Sequence, residues 1–179
     1  MVFENRVLVR ADEVECLGTD PNTTRLLVDA DATGGTMNAV RTTLGPGVDG
    51  PPPHYHKDSP ELFFLVSGAL RILAGEEVLT VSEGDFLLVP PYMPHAWGTL
   101  ADSGADVLII KAPGNNRFEY FRMADRIRRG TARPQEILET QDRFDNHFVD
   151  SAVWRADRAR DGRRESLVTF PDLNQSSGR

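Results

Sequence analysis

Short apolar runs broken by turn-forming residues fill the middle of the chain. Between residues 54 and 112 these runs are ELFFLVSG, ALRILAG, EEVLTVSEG, DFLLVPP and ADVLIIKAP. Strands of this length, separated by Gly, Ser, Asp or Pro, are typical of an all-β sandwich or barrel. The segment RILAGEEVLTV predicts a hairpin about Gly75, and the unbroken run VLII predicts a strand buried on both faces.

The flanking regions follow other patterns. Before the β-rich region, RLLVDA (25–30) and MNAVRTTL (37–44) predict two neighbouring strands on either side of a glycine-rich turn. After it, residues 117–130 and 133–144 repeat apolar positions at helical spacing. The first of these helices is predicted to end at Gly130.

The chain is therefore predicted to have three parts. An N-terminal strand region covers 1–36, a β-barrel core covers 37–112, and a helical C-terminal extension with a tail covers 113–179. With 179 residues, 40% of them apolar, the chain is long enough for one domain with its own core.

Composition narrows the partners and the location. A formal net charge of −7 disfavours nucleic acid, because phosphate binding needs a clustered basic surface. No apolar run approaches the roughly 20 residues of a transmembrane helix, and the N-terminus lacks the basic start and apolar core of a signal peptide. Cys16 is the only cysteine, so no internal disulfide can form, which suits a reducing compartment. We expect a cytoplasmic protein that binds neither nucleic acid nor membranes.

One segment departs from the acidic balance. Residues 155–164, RADRARDGRR, hold five arginines and two aspartates. We interpret this segment as a solvated and partly self-neutralising stretch. The alternative is a surface for an anionic ligand or partner.

Two of the four histidines lie one residue apart, in PPPHYHKDSPELFFLVSG. Residues i and i+2 of an extended chain point the same way, so His54 and His56 share a face. The turn formers that follow let the chain return antiparallel and place Glu61 opposite this pair. A carboxylate at the start of a buried strand is costly unless it is neutralised, and a divalent cation would neutralise it.

A third histidine follows a second apolar strand, in GDFLLVPPYMPH. A tight loop after the two prolines delivers His95. Three imidazoles and one carboxylate suit one divalent transition metal per chain, namely Fe, Mn, Co, Ni, Cu or Zn, and the donor types alone do not choose among them. In a five- or six-coordinate site, four protein ligands leave one or two positions for water, oxygen or substrate.

These two segments resemble the two motifs of the cupin superfamily. The first has two histidines around one residue, four spacers, a glutamate, six spacers and a glycine; the second has a glycine, five spacers, a proline and a histidine five positions on. The resemblance covers residues 37–112 and implies a jelly-roll β-barrel of the single-domain type. It implies a metal set carried by His54, His56, Glu61 and His95. Some cupins keep the barrel without binding metal, and then these residues would only pack.

The chain departs from the cupin motifs at three positions. Val48, Tyr92 and Thr99 stand where the family usually has glycine, glycine and asparagine. None of the three is an expected metal ligand. These departures bear on the conformation of the loop before His95 more than on the metal.

The segment APGNNRFEYFRMADRI is similar to one in the quercetin dioxygenase-like group of cupins. That similarity implies a metal-dependent dioxygenase acting on an aromatic or enolisable small molecule, with Glu61 as ligand and candidate general base. One alternative is a redox-neutral isomerase, epimerase or polyketide cyclase that uses Zn(II) as a Lewis acid. Another is a non-catalytic cupin that binds a small molecule.

Four aromatic residues near the motifs are candidates for the substrate pocket: Phe63, Phe86, Tyr92 and Trp97. Strand alternation from Glu61 places Phe63 on the inward face and Phe64 on the other. Core packing would explain most of these aromatic residues equally well. Tyr92 and Trp97 are the stronger pocket candidates because they flank His95.

Two further expectations concern packing and assembly. His147 lies outside the motifs, and we interpret it as a surface or C-terminal packing residue. Single-domain cupins often dimerise through N-terminal strands, so the resemblance implies a homodimer. The strand-like NRVLVRADEVECL is the candidate for edge pairing.

Overall fold

The structure is a computed structural model that describes residues 6–160 and the two-residue strand at 165–166. Its strands are β1 (Cys16–Thr19), β2 (Asn22–Val28), β3 (Asn38–Leu44), β4 (Val48–Asp49), β5 (His54–Tyr55), β6 (Glu61–Ala74), β7 (Glu77–Ser82), β8 (Phe86–Val89), β9 (His95–Thr99), β10 (Ala105–Lys111), β11 (His147–Phe148) and β12 (Glu165–Ser166). Its helices are α1 (Phe118–Arg128), α2 (Pro134–Leu138), α3 (Gln141–Phe144) and α4 (Ala152–Arg160), and a 3-10 turn spans Ala30–Thr33.

Strand β6 links the two sheets of the jelly roll. The first half of β6 pairs with β10 and β8, and its second half pairs with β7 and β9. The first sheet continues through β3, β2 and β1, whereas β9 also pairs with β4 and β5 in the second. The sequence predicted two strands here, ELFFLVSG and ALRILAG, but they form one strand of 14 residues.

Gly68 makes this continuity possible. Its φ is +75°, a left-handed conformation in which side chains are strained. A Cβ at this position would also lie 2.1 Å from the carbonyl oxygen of Gly104. Gly68, which the sequence predicted to separate two strands, therefore lets β6 continue from one sheet into the other.

A single apolar core fills the space between the sheets. It takes Phe63 and Leu65 from the first half of β6 and Leu70 and Ile72 from the second, all fully buried. Phe64, between the first two, is 39% exposed. The predicted alternation from Glu61 is confirmed, and the fold is the jelly-roll β-barrel that the sequence predicted.

The N-terminal region matches its prediction only in part. Strands β2 and β3 pair antiparallel, as expected of neighbouring strands. Residues 6–15 of the segment NRVLVRADEVECL form no strand within the described chain, and β1 begins at Cys16. Pairing of this segment with a second copy stays a prediction. Val7, Leu8 and Val9 are exposed.

One apolar cluster joins the helices of the extension, and Phe118 and Phe121 pack against the core of the barrel. Tyr120 and Ile127 of α1 meet Ile137 and Phe144 of α2 and α3. Gly130 follows α1 with a φ of +70°, as predicted for the end of this helix. The predicted helix over 133–144 is instead two short helices, α2 and α3.

The arginine-rich segment is only partly solvated. Arg158 is buried, and its Nε donates to Asp49 Oδ1 at 2.7 Å while its Nη2 donates to the carbonyl of Thr99 at 2.8 Å. Asp157 pairs with Arg71. The interpretation as a solvated stretch is therefore wrong for Asp157 and Arg158, because these charges anchor α4 to β4, β6 and β9, whereas Arg155 and Arg160 are exposed. Residues 161–164 lie outside the described part.

Within that part of the chain, no helix is both long and apolar enough to cross a membrane.

The loop before His95 has a left-handed backbone at Tyr92, where the sequence comparison led us to expect glycine. Tyr92 has a φ of +64°, in the left-handed region where glycine is favoured. Its N–H donates to the carbonyl of His56 at 2.7 Å, which fixes the loop against the histidine pair. Thr99 takes a structural role, since its hydroxyl donates to the carbonyl of Gly45 at 2.8 Å.

We expect Arg158→Ala to lower the free energy of unfolding by about 3 kcal/mol, because it leaves the largely buried Asp49 carboxylate without its partner. Arg155→Ala on the same helix removes an exposed pair with Asp150 and should cost less than about 1 kcal/mol. Urea unfolding of the two variants measures both values. Equal losses would contradict the anchoring role of Arg158.

We expect Tyr92→Gly to be more stable than Tyr92→Ala by about 1 kcal/mol, because only alanine keeps the cost of a left-handed backbone. Both variants lose the contact between the Tyr92 and Tyr55 rings, so their difference isolates the backbone term. Thermal unfolding followed by circular dichroism provides the comparison. An alanine variant as stable as the glycine variant would show that Tyr92 is not strained.

Candidate metal centre

Four side chains converge where β5, β6 and β9 begin. We call His54, His56, Glu61 and His95 the four-donor cluster. Each offers one ligand atom, these atoms all lie within 4.8 Å of one another, and all four residues are buried. The structure thus brings together every residue that the sequence selected as a metal ligand, in a buried site that can bind one metal ion.

Strand pairing sets this convergence. His54 and His95 are direct partners in the register of β5 and β9, and their rings lie 4.4 Å apart. Glu61 is the first residue of β6, opposite Val89 of β8 and Lys111 of β10. The alternation of β6 turns the Glu61 carboxylate inward together with Phe63.

Main-chain carbonyls hold the three imidazole rings. The Nδ1 atoms of His54 and His95 lie 2.8 and 3.0 Å from the carbonyl oxygen two residues earlier in the chain. His56 Nδ1 contacts the carbonyl of Asp145. A carbonyl only accepts, so Nδ1 donates its proton in each ring, and a neutral ring is left with a lone pair on Nε2.

Burial keeps two of these rings neutral. It lowers the pKa of His54 well below its ordinary value. It also lowers the pKa of His56 to about 4, against the opposing attraction of Glu61. Neutral imidazole with a free Nε2 lone pair is the form that binds metals.

The Nε2 atoms of His56 and His95 face the Glu61 carboxylate, but neither atom has a proton to donate to it. His95 Nε2 lies 3.0 Å from Glu61 Oε2. With Nδ1 already donating, this contact is favourable only if a second proton or a metal cation lies between the two atoms. His56 Nε2 is 3.4 Å from Glu61 Oε1, and this buried nitrogen makes no hydrogen bond within residues 6–160. A divalent cation would satisfy both nitrogens, so the donor set fits a metal.

Glu61 is held as an ionised carboxylate. Burial alone would raise its pKa, but the contacts with His56 and His95 bring the pKa well below its ordinary value. An ionised carboxylate of this kind can serve as a metal ligand.

The sequence did not identify two polar residues beside the cluster, Arg117 and Asn146. Arg117 Nη1 lies 3.4 Å from Glu61 Oε1, and its Nη2 donates to Asn146 Oδ1 at 2.8 Å. The guanidinium lies over the ring of Tyr120, 4.9 Å from its centroid. The only sequence signal for Arg117 is its place directly before the aromatic-rich helix α1.

A second buried ion pair supports His56. Lys111 Nζ lies 3.2 Å from Asp145 Oδ2, and burial lowers the pKa of Lys111 to about 8. Asp145 also accepts from the N–H groups of Lys57 and Asp58 while its own carbonyl holds His56. Strand alternation points Lys111 inward with Val107 and Ile109. Leu108 and Ile110 on the other face are only partly buried, so the predicted burial of this strand on both faces holds for one face only.

An apolar cavity of about 100 Å³ adjoins the cluster, several times what one water molecule needs. His54 and Glu61 form part of its wall. Its other lining residues are Leu17, Gly18, Asn22, Thr24, Thr42, Pro51, Trp97, Ile109, Arg117, Tyr120, Phe121, Ala124, Asp125, Arg128 and Asn146.

The four aromatic residues predicted to line the substrate pocket lie in different places. Trp97 lines the cavity. Phe63 does not line it but packs behind the cluster, with its ring centroid 6.3 Å from that of His95. Phe86 and Tyr92 are 61% and 65% exposed and lie outside the cavity wall, so their prediction as lining residues is wrong for this cavity.

Strand register explains the Phe86 error. Phe86 pairs with Phe64, and directly paired residues share a face of the sheet, which here is the outer one. Tyr92 turns outward with its left-handed backbone and stacks on Tyr55. His147 stacks on the same Tyr55 ring at 5.1 Å and stays outside the cluster, as expected of a packing residue.

Residues 40–111 match the family profile described as "Cupin domain". A search of curated proteins found no matching sequence.

Solved structures with the same fold include KdgF from Halomonas sp., at 19% identity and a TM-score of 0.52 over 61% of this chain and 94% of that one. The polyketide cyclase RemF from Streptomyces resistomycificus is 18% identical, with a TM-score of 0.51 over 66% and 94% of the two chains. A predicted oxalate decarboxylase from Thermotoga maritima is 15% identical, with a TM-score of 0.52 over 59% and 98%. At these identities the likeness shows the fold alone. The profile match, the jelly roll and the buried cluster all support an assignment of residues 40–111 to the cupin superfamily.

Proposed function

We propose that the chain is a metal-dependent enzyme whose four-donor cluster holds one divalent transition metal. The observation that carries this proposal is the anchoring of all three imidazoles through Nδ1, which leaves three Nε2 atoms around one carboxylate. A cluster built only for packing has no need of three rings in the same tautomer. The unpartnered Nε2 of His56 would be costly without a cation.

We propose further that the reaction is a dioxygenation of an aromatic or enolisable small molecule. The resemblance of the segment after β10 to quercetin dioxygenase-like cupins supports this, as does the apolar cavity wall next to His54 and Glu61. When bound, a divalent metal supplies a Lewis acid that acidifies an enol or phenol. The chain supplies the shape: Trp97, Tyr120 and Phe121 give flat apolar surfaces against which an aromatic substrate packs.

The role of Glu61 in this proposal is that of a ligand. A general base works best with a pKa near the operating pH. Glu61 has a pKa well below its ordinary value and is held by His95 on one oxygen and Arg117 on the other. We therefore assign Glu61 the role of holding the metal, and not that of removing a proton from the substrate.

A redox-neutral reaction is the second candidate, and the position of Arg117 favours it. A buried guanidinium 3.4 Å from the Glu61 carboxylate is placed to stabilise an enolate that forms next to the cluster. The fold neighbour RemF is named a polyketide cyclase, which is one of the enzyme classes of the redox-neutral alternative. In this case the same cluster would hold Zn(II).

We expect chelator-treated protein to take up one equivalent of Mn, Co or Zn, and His56→Ala to weaken that binding at least 100-fold through loss of one imidazole donor. His147→Ala is the matched control, because this histidine lies outside the cluster, and it should bind as the native chain does. Competition with a fluorescent chelator gives the affinities. If His56→Ala leaves stoichiometry and affinity unchanged, the metal proposal fails.

We expect oxygen uptake with at least one flavonol or 1,3-diketone when the protein carries Fe, Mn, Ni or Co, and none after metal removal. An oxygen electrode measures uptake, and NMR in D₂O on the same panel detects exchange of the acidic C–H. Exchange or product formation with Zn-loaded protein, without oxygen uptake with any metal, would replace the dioxygenase by the redox-neutral reaction. If the protein binds a stoichiometric metal but shows neither oxygen uptake nor C–H exchange nor product formation, the chain is a non-catalytic binding protein.

A further inference from the structure

Two buried hydrogen-bond donors on the cavity wall have no partner within the described residues. Arg117 and Asn146 are 4% and 1% exposed, and both line the cavity beside the cluster. Arg117 Nε and Asn146 Nδ2 find no acceptor among residues 6–160. The other polar atoms of these side chains are used, since Arg117 Nη2 donates to Asn146 Oδ1 and Nη1 faces Glu61.

Such atoms call for an acceptor that arrives from outside. An unsatisfied buried donor costs about 1–3 kcal/mol, and more when it belongs to a charged group. A guanidinium has only donors to offer, so the missing partner of Arg117 must be an acceptor. Asn146, whose Oδ1 accepts from Arg117 Nη2, presents a second donor on the same cavity wall. Two such donors suit a planar, two-oxygen anion.

Arg117 is held in place before any ligand binds. Its guanidinium lies 4.9 and 5.6 Å from the ring centroids of Tyr120 and Phe121. Its contacts with Glu61 and Asn146 restrain the two Nη atoms. A rigid guanidinium loses little conformational entropy on binding a planar anion.

The balance of buried charge points the same way. Around the cluster, Glu61 and Asp145 are the buried acids, and Lys111 and Arg117 are the buried bases, so their formal charges cancel. A divalent metal in the cluster, as the proposed function requires, adds two positive charges to this buried region. Uncompensated buried charge is costly, so an anionic ligand is favoured over a neutral one.

The remaining charged residues of the cavity wall do not offset this excess. Asp125 and Arg128 pair with each other at 2.8 Å and so contribute no net charge. Arg117 is therefore the cation through which the cavity wall would recognise an anion.

We propose that Arg117 and Asn146 form a carboxylate subsite, and that the substrate is an aromatic or enolisable carboxylic acid. This deepens the proposed function and rests on it for the charge of the metal. The carboxylate accepts from Arg117 Nε and Asn146 Nδ2, and the apolar body packs on Trp97 and Tyr120. The group that reacts then lies towards His54 and Glu61, on the shared wall of the cavity.

Benzoate and its neutral isostere benzamide test the subsite by isothermal titration calorimetry, on metal-free and on Zn-loaded protein. We expect the native chain to bind benzoate at least tenfold more tightly than benzamide in both forms, with the larger ratio in the Zn form. Arg117→Met should reduce the ratio to near one, and Arg117→Lys should restore part of it. Arg126→Met is the matched control, since this exposed arginine of α1 pairs with Glu119 and does not line the cavity.

A second variant keeps the test decisive if Arg117→Met fails to fold. Asn146→Asp has nearly the same shape, and its carboxylate would pair with Arg117 and cancel the charge offered to the ligand. We expect it to weaken benzoate binding at least fivefold and to leave benzamide binding unchanged. Melting curves and Zn stoichiometry establish that each variant is folded and loaded.

The outcomes separate the two proposals. Native protein that binds the two probes within threefold, or binds neither, overturns the carboxylate subsite and shows that water serves the two donors. A benzoate preference that survives Arg117→Met also overturns it, because the carboxylate then binds elsewhere. Failure of the proposed function appears instead as absence of Zn binding, with the benzoate preference of the metal-free chain intact.

Discussion

The arrangement of this protein depends on one constraint: main-chain carbonyls fix three imidazole rings so that their free nitrogens meet at one carboxylate. Each ring donates a hydrogen bond from Nδ1 to a main-chain carbonyl. The pairing of β5 with β9 sets the separation of His54 and His95. The strand that starts at Glu61 is also the one that links the two sheets. The barrel and the cluster are therefore built by the same strand pairings, and a shift in register would displace the donors.

The segment after the barrel contributes residues that hold and surround this site. The carbonyl that holds His56 belongs to Asp145, in the turn after α3, and Arg117 stands at the start of α1. The apolar cluster under α1, α2 and α3 positions both. The C-terminal extension thus supplies the positive charge of Arg117 and much of the cavity wall, while the cupin motifs supply the four possible metal ligands. Differences among cupin reactions can reside in such extensions, outside the motifs themselves.

Local rules explain what the sequence could predict. Strand alternation accounts for the shared face of His54 and His56 and for the inward Phe63, because a period of two needs only the local chain. Arg117, by contrast, is one of 20 lysines and arginines, and only tertiary packing distinguishes it from the exposed ones. Arg158 was misjudged for the same reason. Phe86 was assigned to the pocket from nearness in sequence, whereas its register opposite Phe64 decides its face.

X-ray absorption at the metal edge of the Co- or Mn-loaded protein tests the central claim most directly, because it reports the donor atoms themselves. The four-donor cluster should give nearest neighbours of nitrogen and oxygen only, at about 2.0–2.2 Å, with the multiple-scattering signature of three imidazole rings. A spectrum of oxygen neighbours alone, without imidazole scattering, would place the metal elsewhere and contradict the account.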